Sequence, residues 1–171
     1  RYWFDIVCGT LVFIALVLVA NKAWGYDENG GRYCLAQNIY FEAGNQPLIG
    51  MIAVGEVITN RIKSDKYPDT ICDVVHEGPI SKWHYKELGK KVPIKHKCQF
   101  SYYCDGKKEI MYEKSALIIA MDVATLALEG ALVEDIWGAT HYHTRYTEPY
   151  WINEMFRIGV IGDHIFYERN W

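Results

Sequence analysis

The segment from Ser115 to Glu129 constrains the fold most, because it is apolar on nearly every face of a helix. Eleven of its fifteen residues are Ala, Leu, Ile, Met or Val. A helix of this composition is expected inside a protein. Gly130 follows directly and supplies a C-terminal stop. We therefore expect a domain built around this helix.

Further helices are predicted upstream. Apolar residues recur at helical spacing over Arg32–Ala43, and Gly44 follows as a stop. Pro47 can occupy the first turn of the next helix, whose wide apolar face extends to Ile62. Thr70–His76 predicts one or two more turns. The domain is therefore mainly helical.

Strand signals are fewer and lie toward the C-terminus. Gly138–Thr144 predicts a strand, and Ile158–Tyr167 predicts a strand pair around Gly162. Gln99–Tyr103 predicts a short strand or hairpin, whereas the lysine-rich stretch Glu77–Lys97 is typical of a long surface loop. The fold class we predict is α+β, mainly helical with a small β-sheet.

Composition limits the classes of function. The chain has 171 residues, enough for one domain with a core, and it is 50% hydrophobic. Its net charge of -3 gives no indication of nucleic-acid binding. Thirteen tyrosines and six tryptophans are many for this length, and such rings stack on sugars as well as filling cores.

An apolar segment without charge runs from Ile6 to Ala20. It is short for a membrane span of about 20 residues, but flanking aromatic residues extend it. We predict a transmembrane signal anchor over residues 1–24, a Gly/Asp/Asn-rich linker over 25–31 and a catalytic domain over 32–171. The domain would then lie outside the cytoplasm, in the periplasm or beyond. The alternative is a buried core helix.

The cysteines agree with export. Cys8 lies in the apolar segment and four others lie beyond it, where three disulfide connectivities are open. We predict Cys34–Cys72 and Cys98–Cys104, because both helical segments should pack together and a short aromatic stretch separates the second pair. A zinc site is the alternative, but no CxxC pair occurs.

Glu42 is the candidate catalytic residue. It lies in the last turn of the predicted helix, where the macrodipole disfavours a further negative charge, and beside Tyr40 and Phe41, whose burial would disfavour it again. Both effects raise the pKa of a carboxyl group, as a general acid requires. The alternative is a solvated residue at the helix end.

Other polar and aromatic residues complete the predicted site. Glu56 is a possible second carboxylate if the two helices pack antiparallel, and His141 and His143 share one face of a strand. The two histidines could orient a substrate or be satisfied polar groups, and we predict no metal and no cofactor. Predicted substrate-binding residues are Tyr40, Gln99, Phe100, Ser101, Tyr102, His141, His143 and Trp151.

Six stretches together resemble the SleB-like cell-wall hydrolase family, which includes the spore-cortex-lytic enzymes of germination. They are Cys34–Ala43, Gly50–Arg61, Tyr67–Cys72, Cys98–Gly106, Gly138–Thr144 and Ile161–Tyr167. The resemblance implies a lysozyme-like domain that cleaves peptidoglycan, with the family's essential glutamate at Glu42. Where the family usually has Glu-Ala-Arg-Gly-Glu-Pro, this chain lacks the arginine and the second carboxylate, which Gln46 replaces.

The leading hypothesis is therefore cleavage of peptidoglycan glycan strands, as a lytic transglycosylase or muramidase. Two other classes stay open. One is a zinc-dependent amidase or peptidase that uses His141 and His143, and the other is a non-catalytic, membrane-held protein that binds the wall through its aromatic surface.

Overall fold

The computed structural model describes residues 30–169, which form a mainly helical domain with one small sheet. The helices are α1 (Gly31–Ala43), α2 (Leu48–Ile62), α3 (Ile71–Val75), α4 (Lys82–Leu88) and α5 (Lys114–Leu128). Single 3-10 turns lie at Ser101–Cys104, Glu134–Ile136 and Ile152–Glu154. The predicted helices and the mainly helical α+β class are confirmed.

The sheet is antiparallel and has the order β1-β3-β2. Its strands are β1 (His141–Thr144), β2 (Met155–Ile161) and β3 (His164–Arg169). The last two form the predicted strand pair, with Gly162 in the turn at a φ of 57°. This left-handed conformation favours glycine.

Helix α2 is the central element. One face contributes Val54 and Ile58 to a core shared with α1 and α5. Its other face places Ala53 and Val57 against the sheet, which contributes Phe166. Both faces of α2 are therefore buried, in agreement with its wide apolar surface.

The prediction that the helix after Ser115 is central is wrong. In α5 only the face with small side chains is fully buried, and it consists of Ala120, Val123, Ala124 and Ala127. Ile118 and Leu126 are 62% and 41% exposed. A Cβ at Gly55 of α2 would lie 3.0 Å from the Ala127 Cβ, so small side chains allow the two helices close contact. Side-chain size, and not hydropathy, determines which face of α5 is buried.

Two predictions for the middle of the chain are also wrong. The stretch 77–97 lies at the surface as predicted, but it is not a loop throughout, because it contains the helix α4 and a backbone hydrogen bond from Ser81 N to Val92 O at 2.8 Å that joins the two ends of the segment around that helix. Ser101–Cys104 is a 3-10 turn and not a strand. The Cα atoms of Cys98 and Cys104 are 6.1 Å apart, whereas six extended residues would span about 20 Å.

The predicted anchor at residues 1–24 lies outside the described residues, as does most of the linker at 25–31. Gly31, the last linker residue, already belongs to α1. Between residues 30 and 169, no helix combines the length and the apolar character that crossing a bilayer requires.

Two disulfides join the four cysteines of residues 30–169 in the pairs expected from the sequence. Cys34–Cys72 links α1 to α3, and its two Cα atoms are 5.3 Å apart. Cys98–Cys104 closes the short segment that contains the 3-10 turn. The first bridge closes the larger loop and therefore restricts the unfolded chain more.

Replacing Cys34 and Cys72 together by serine should lower the free energy of unfolding by about 2 to 4 kcal/mol, as measured by urea unfolding of the oxidised protein. The matched double substitution at Cys98 and Cys104 should cost less, because its loop has a sequence separation of 6 against 38. Equal losses would contradict this ranking.

Candidate active site

Glu42 occupies the last turn of α1 and is only partly exposed. Burial raises the pKa of its carboxyl group from 4.5 to about 7, and a hydrogen bond from Tyr142 opposes the shift. No other charged group among residues 30–169 has a marked effect on this pKa. Near neutral pH both protonation states of the carboxyl are therefore accessible, and it can donate a proton as well as accept one.

Gly44 fixes the end of α1 next to this residue. A Cβ at Gly44 would lie 2.5 Å from the Tyr40 carbonyl oxygen, which is closer than a side chain allows. The φ of Gly44 is -61°, so the glycine is required for close approach and not for a left-handed turn. The chain can then leave the helix immediately after Glu42.

Tyr142 reaches Glu42 from the middle of β1. Its ring contacts Phe166 and His164 of β3, with centroids 5.8 and 5.0 Å away. Its buried hydroxyl has no hydrogen bond of ordinary length and angle, so the contact with Glu42 is loose. Burial also raises the pKa of the Tyr142 phenol, which stays protonated and can donate.

Asn38 and Tyr102 complete the polar surroundings of Glu42. Asn38 lies one turn earlier on the same face of α1, is fully buried, and has no partner of ordinary geometry for either amide atom. Tyr102 stacks on Phe41 at 4.7 Å, and its buried hydroxyl makes only a loose contact with Asn38, without a hydrogen bond of ordinary geometry to any of residues 30–169. We call Asn38, Glu42, Tyr102 and Tyr142 the carboxyl cluster.

The carboxyl cluster concentrates buried polar groups that lack well-formed hydrogen bonds within residues 30–169. Buried polar groups are costly unless they form hydrogen bonds, and native proteins contain few that do not. Asn38, Tyr102 and Tyr142 are three such groups in one small region. The arrangement is typical of a site that meets a polar ligand.

The buried Arg61 contacts the elements that carry the carboxyl cluster. Only 1% of it is exposed, and its Nε donates to the Thr140 carbonyl oxygen at 2.7 Å. The guanidinium lies 5.2 Å from the Tyr67 ring centroid and 5.5 Å from that of Phe100. The Phe100 ring in turn faces Tyr142 at 6.5 Å. Arg61 therefore fixes the start of β1 and the segment that carries Tyr102.

The predicted residues Tyr40 and Ser101 have different surroundings. The Tyr40 hydroxyl accepts a hydrogen bond from Glu113 N at 3.1 Å, which ties α1 to the segment preceding α5. Ser101 begins the 3-10 turn and is exposed. Tyr40 is thus a structural contact, whereas Ser101 is accessible to a ligand.

His141 and His143 point away from Tyr142, because alternate residues of a strand face opposite sides. His143 donates from Nδ1 to the Thr144 carbonyl oxygen and accepts at Nε2 from the Tyr167 hydroxyl. Both of its ring nitrogens are therefore occupied. Burial, with the cations of Arg61 and Arg169, lowers the pKa of His141 to about 4.

His141 lines a second feature, a groove of about 600 Å³ beside Trp151. Gln99, another predicted residue, is also in its wall. We call this the charged groove, because its lining includes Glu77, Lys97, Glu154 and Arg169. Of the predicted substrate-binding residues, the structure thus places Tyr102 near Glu42 and Gln99, His141 and Trp151 here.

Glu56 is separate from both features. It is fully buried, and its Oε2 accepts a hydrogen bond from Val133 N at 2.7 Å. Burial raises its pKa, and Glu42 is not among the groups that act on it. Gln46 is also committed elsewhere, since its Oε1 accepts from Asp163 N at 2.9 Å. Neither residue provides Glu42 with a partner.

Within residues 30–169, no group of three or more His, Cys, Asp or Glu side chains is arranged to hold a metal ion. His141 and His143 contact Trp151 and Tyr167 instead of a third ligand. The zinc alternative therefore has no ligand set in this part of the chain.

Sequence reasoning missed Tyr142, Asn38 and Arg61 as parts of the site. The two histidines that flank Tyr142 are the more common site residues, but strand alternation places the tyrosine, and not the histidines, on the side of β1 that faces Glu42. Asn38 could have been found from its spacing of four residues before Glu42. Arg61 had no signal beyond its position in an apolar helix.

Comparison with known structures identifies the fold. The catalytic domain of the germination-specific lytic transglycosylase SleB from Bacillus anthracis matches 82% of this chain and 98% of that domain, with a TM-score of 0.60 at 24% identity. The catalytic domain of the Bacillus cereus SleB protein matches with a TM-score of 0.55, also at 24% identity, over 82% of this chain and 94% of that domain. The domain therefore has the fold of a SleB catalytic domain.

Sequence comparison identifies the family. The model described as Cell Wall Hydrolase matches residues 45–167, and the chain belongs to this family. The spore cortex-lytic enzyme of Halalkalibacterium halodurans is 30% identical over 147 residues, which are 85% of this chain and 37% of that enzyme. That of Bacillus subtilis is 37% identical over 60 residues, or 35% of this chain and 19% of the enzyme. The family match begins three positions after Glu42.

The raised pKa of Glu42 has a consequence for stability. Because folding favours the neutral carboxyl, its stabilising contribution is complete below pH about 4.5 and is lost as the pH rises through about 7. The free energy of unfolding of Glu42→Gln, relative to that of the native chain, should therefore increase as the pH rises. The increase should reach about 3 kcal/mol at pH about 8. Urea unfolding across this range measures the difference.

Glu87→Gln, on the exposed helix α4, is the matched control. A pH dependence as large in this control as in Glu42→Gln, or none in Glu42→Gln, would contradict the burial of the Glu42 carboxyl.

Proposed function

We propose that this domain cleaves the glycan strands of peptidoglycan, with Glu42 as general acid and then general base. The observation that carries the proposal is a carboxyl group with a pKa of about 7 among buried polar side chains whose hydrogen bonds are loose. Family membership supports the substrate, and the name of the Bacillus anthracis relative, a lytic transglycosylase, supports the reaction class.

The reaction begins with protonation of the glycosidic oxygen by Glu42. The bond between N-acetylmuramic acid and N-acetylglucosamine then breaks, and positive charge develops at the muramoyl C1. The ionised Glu42 takes the proton of the C6 hydroxyl of the same sugar as its oxygen bonds to C1. The products are a free 4-hydroxyl group and a 1,6-anhydro sugar, without addition of water.

The surroundings of the three positions that the sequence suggested for a partner carboxylate favour this outcome over hydrolysis. A hydrolase usually has a second carboxyl about 5 to 5.5 Å or 6.5 to 9.5 Å from the first. Glu56 is bound to Val133, and Gln46 is bound to Asp163. Asp105 accepts from Lys107 N at 2.7 Å and pairs with the same lysine. These commitments support our proposal that the substrate's own hydroxyl is the nucleophile.

Uncharged groups of the cluster position the sugar. Tyr142 keeps its proton and donates toward the Glu42 carboxyl, whereas the fully buried Asn38 supports Tyr102 from within the domain. Tyr102, stacked on Phe41, offers a ring edge and a hydroxyl. Such preorganised donors stabilise developing charge without reorganisation.

Peptidoglycan lies outside the cytoplasm, so we place the domain there. The apolar segment Ile6–Ala20 would hold it at the membrane, and the two disulfides suit an oxidising compartment. A non-catalytic wall-binding role is the second candidate, which the aromatic surface alone would serve.

Glu42→Gln should reduce the rate of peptidoglycan solubilisation by about 10² to 10⁴-fold, because it retains size but lacks the transferable proton. Release of soluble fragments from purified walls measures the rate. Glu56→Gln is the matched control, since a glutamine oxygen can still accept from Val133 N. An equal loss in both variants would show a two-carboxylate site, and retained activity in folded Glu42→Gln would refute the assignment.

The fragments should end in 1,6-anhydro-muramoyl residues. Mass spectrometry of products from purified peptidoglycan distinguishes them from reducing ends, which are heavier by one water. Predominantly reducing ends would show hydrolysis and would require a second group that activates water. Binding to walls without any released fragments would support the non-catalytic candidate.

A further inference from the structure

The charged groove carries both signs of charge without pairing them. Ion pairs between residues 30 and 169 occur at Lys107–Asp105 and Arg145–Asp163. None of them involves the four charged groove residues, Glu77, Lys97, Glu154 and Arg169. These charges are therefore available to a ligand that also carries both signs.

Glu77 shows that the groove is more than a solvated surface. Its Oε2 is buried and has no hydrogen-bond partner among residues 30–169, and although Arg61 attracts the carboxylate electrostatically, the missing hydrogen bond leaves part of the cost of burial uncompensated. A bound ammonium or amide group would remove that cost. The neighbouring Gln99 is exposed and adds an amide that can donate or accept.

The wall that carries these residues is held in place. Gln99 N donates to the Glu77 carbonyl oxygen at 2.8 Å. A Cβ at Gly78 would lie 3.0 Å from both the Cα and the Sγ of Cys98, so two backbone segments are in contact there. The Cys98–Cys104 disulfide fixes one of them. The groove is thus preorganised, which favours binding.

The groove is also close to the carboxyl cluster. Gln99 in its wall and Tyr102 in the cluster are three residues apart, so their Cα atoms lie within about 11 Å. His141 of the groove directly precedes Tyr142 in β1, and although the two side chains face opposite sides, β1 is an edge strand of the sheet, around which a branch can pass. A substrate bound at Glu42 can therefore reach the groove through a short side branch.

Peptidoglycan has one such branch. Its glycan strand is uncharged where the muramoyl carboxyl is amide-linked to a peptide, so the charges reside on that stem peptide as carboxylates and amines. We propose that the charged groove binds the stem peptide next to the bond being cleaved, an inference that rests on the proposed function. Lys97 and Arg169 would take carboxylates, and Glu77 and Glu154 would take an amine.

The exposed ring of Tyr150 suits the remaining part of such a peptide. It is 92% exposed at the mouth of the groove, and Trp151 lies beside it. Aromatic rings at this position can cover the aliphatic portions of a peptide between its charged groups. A neutral oligosaccharide would use the rings but would leave all four charges without partners.

A soluble muramoyl-peptide tests the inference without cleavage, by calorimetric titration into the full chain. Arg169→Gln and Glu77→Gln should each weaken binding about tenfold. Lys107→Gln, whose lysine is exposed and pairs with Asp105 elsewhere, should leave it within about twofold. Unchanged binding in both groove variants, or equal binding of the peptide-free sugar, would overturn the inference.

Cleavage provides the second readout. The native chain should cleave peptide-bearing strands with a kcat/KM about tenfold above that for strands stripped of peptide, and this ratio should fall toward one in Arg169→Gln. Equal cleavage of both substrates by the native chain would overturn the inference and leave the proposed function intact. Failure to cleave either substrate would overturn the proposed function, while the titration would still decide peptide binding.

Discussion

The burial of one carboxyl group at the end of a helix is the interaction on which the site depends. Among residues 30–169 no cation has a marked effect on Glu42, so desolvation dominates and the pKa of its carboxyl rises to about 7. A nearby lysine or arginine would reverse the shift. The described neighbours of Glu42 are bulky or polar but uncharged. The buried Arg61 instead donates a hydrogen bond to the Thr140 carbonyl oxygen at the start of β1.

Several distant contacts preserve this environment. The Cys34–Cys72 disulfide fixes α1 against α3, and Gly44 lets the chain turn away directly after Glu42. Gln46 then ties the following turn to Asp163 between β2 and β3. The position that could have held a second carboxylate therefore contributes to joining the helices to the sheet. A glutamine at this position is consistent with a mechanism that needs only one carboxylic acid.

Helices α1, α2, α3 and α5, and the buried position of Glu42 at the end of α1, were predictable from the sequence because they depend on local patterns, whereas α4 was missed. Helical spacing, Gly44 and the aromatic neighbours located Glu42 and the end of α1. Tyr142 was not predictable, since its role depends on which side of β1 faces the helices. The exposed face of α5 was missed for a similar reason, because Gly55 and Ala127 determine its contact and hydropathy does not.

The pKa of Glu42 is the most direct test of this account. Carbon-13 NMR of the glutamate side-chain carboxyls across a pH titration, with the resonance assigned by its loss in Glu42→Gln, measures it. The account predicts a midpoint of about 7, and a higher one in Tyr142→Phe, because the tyrosine hydroxyl lowers the pKa. A midpoint near 4.5 would show that the carboxyl is solvated and ionised at neutral pH, and would contradict its role as the acid.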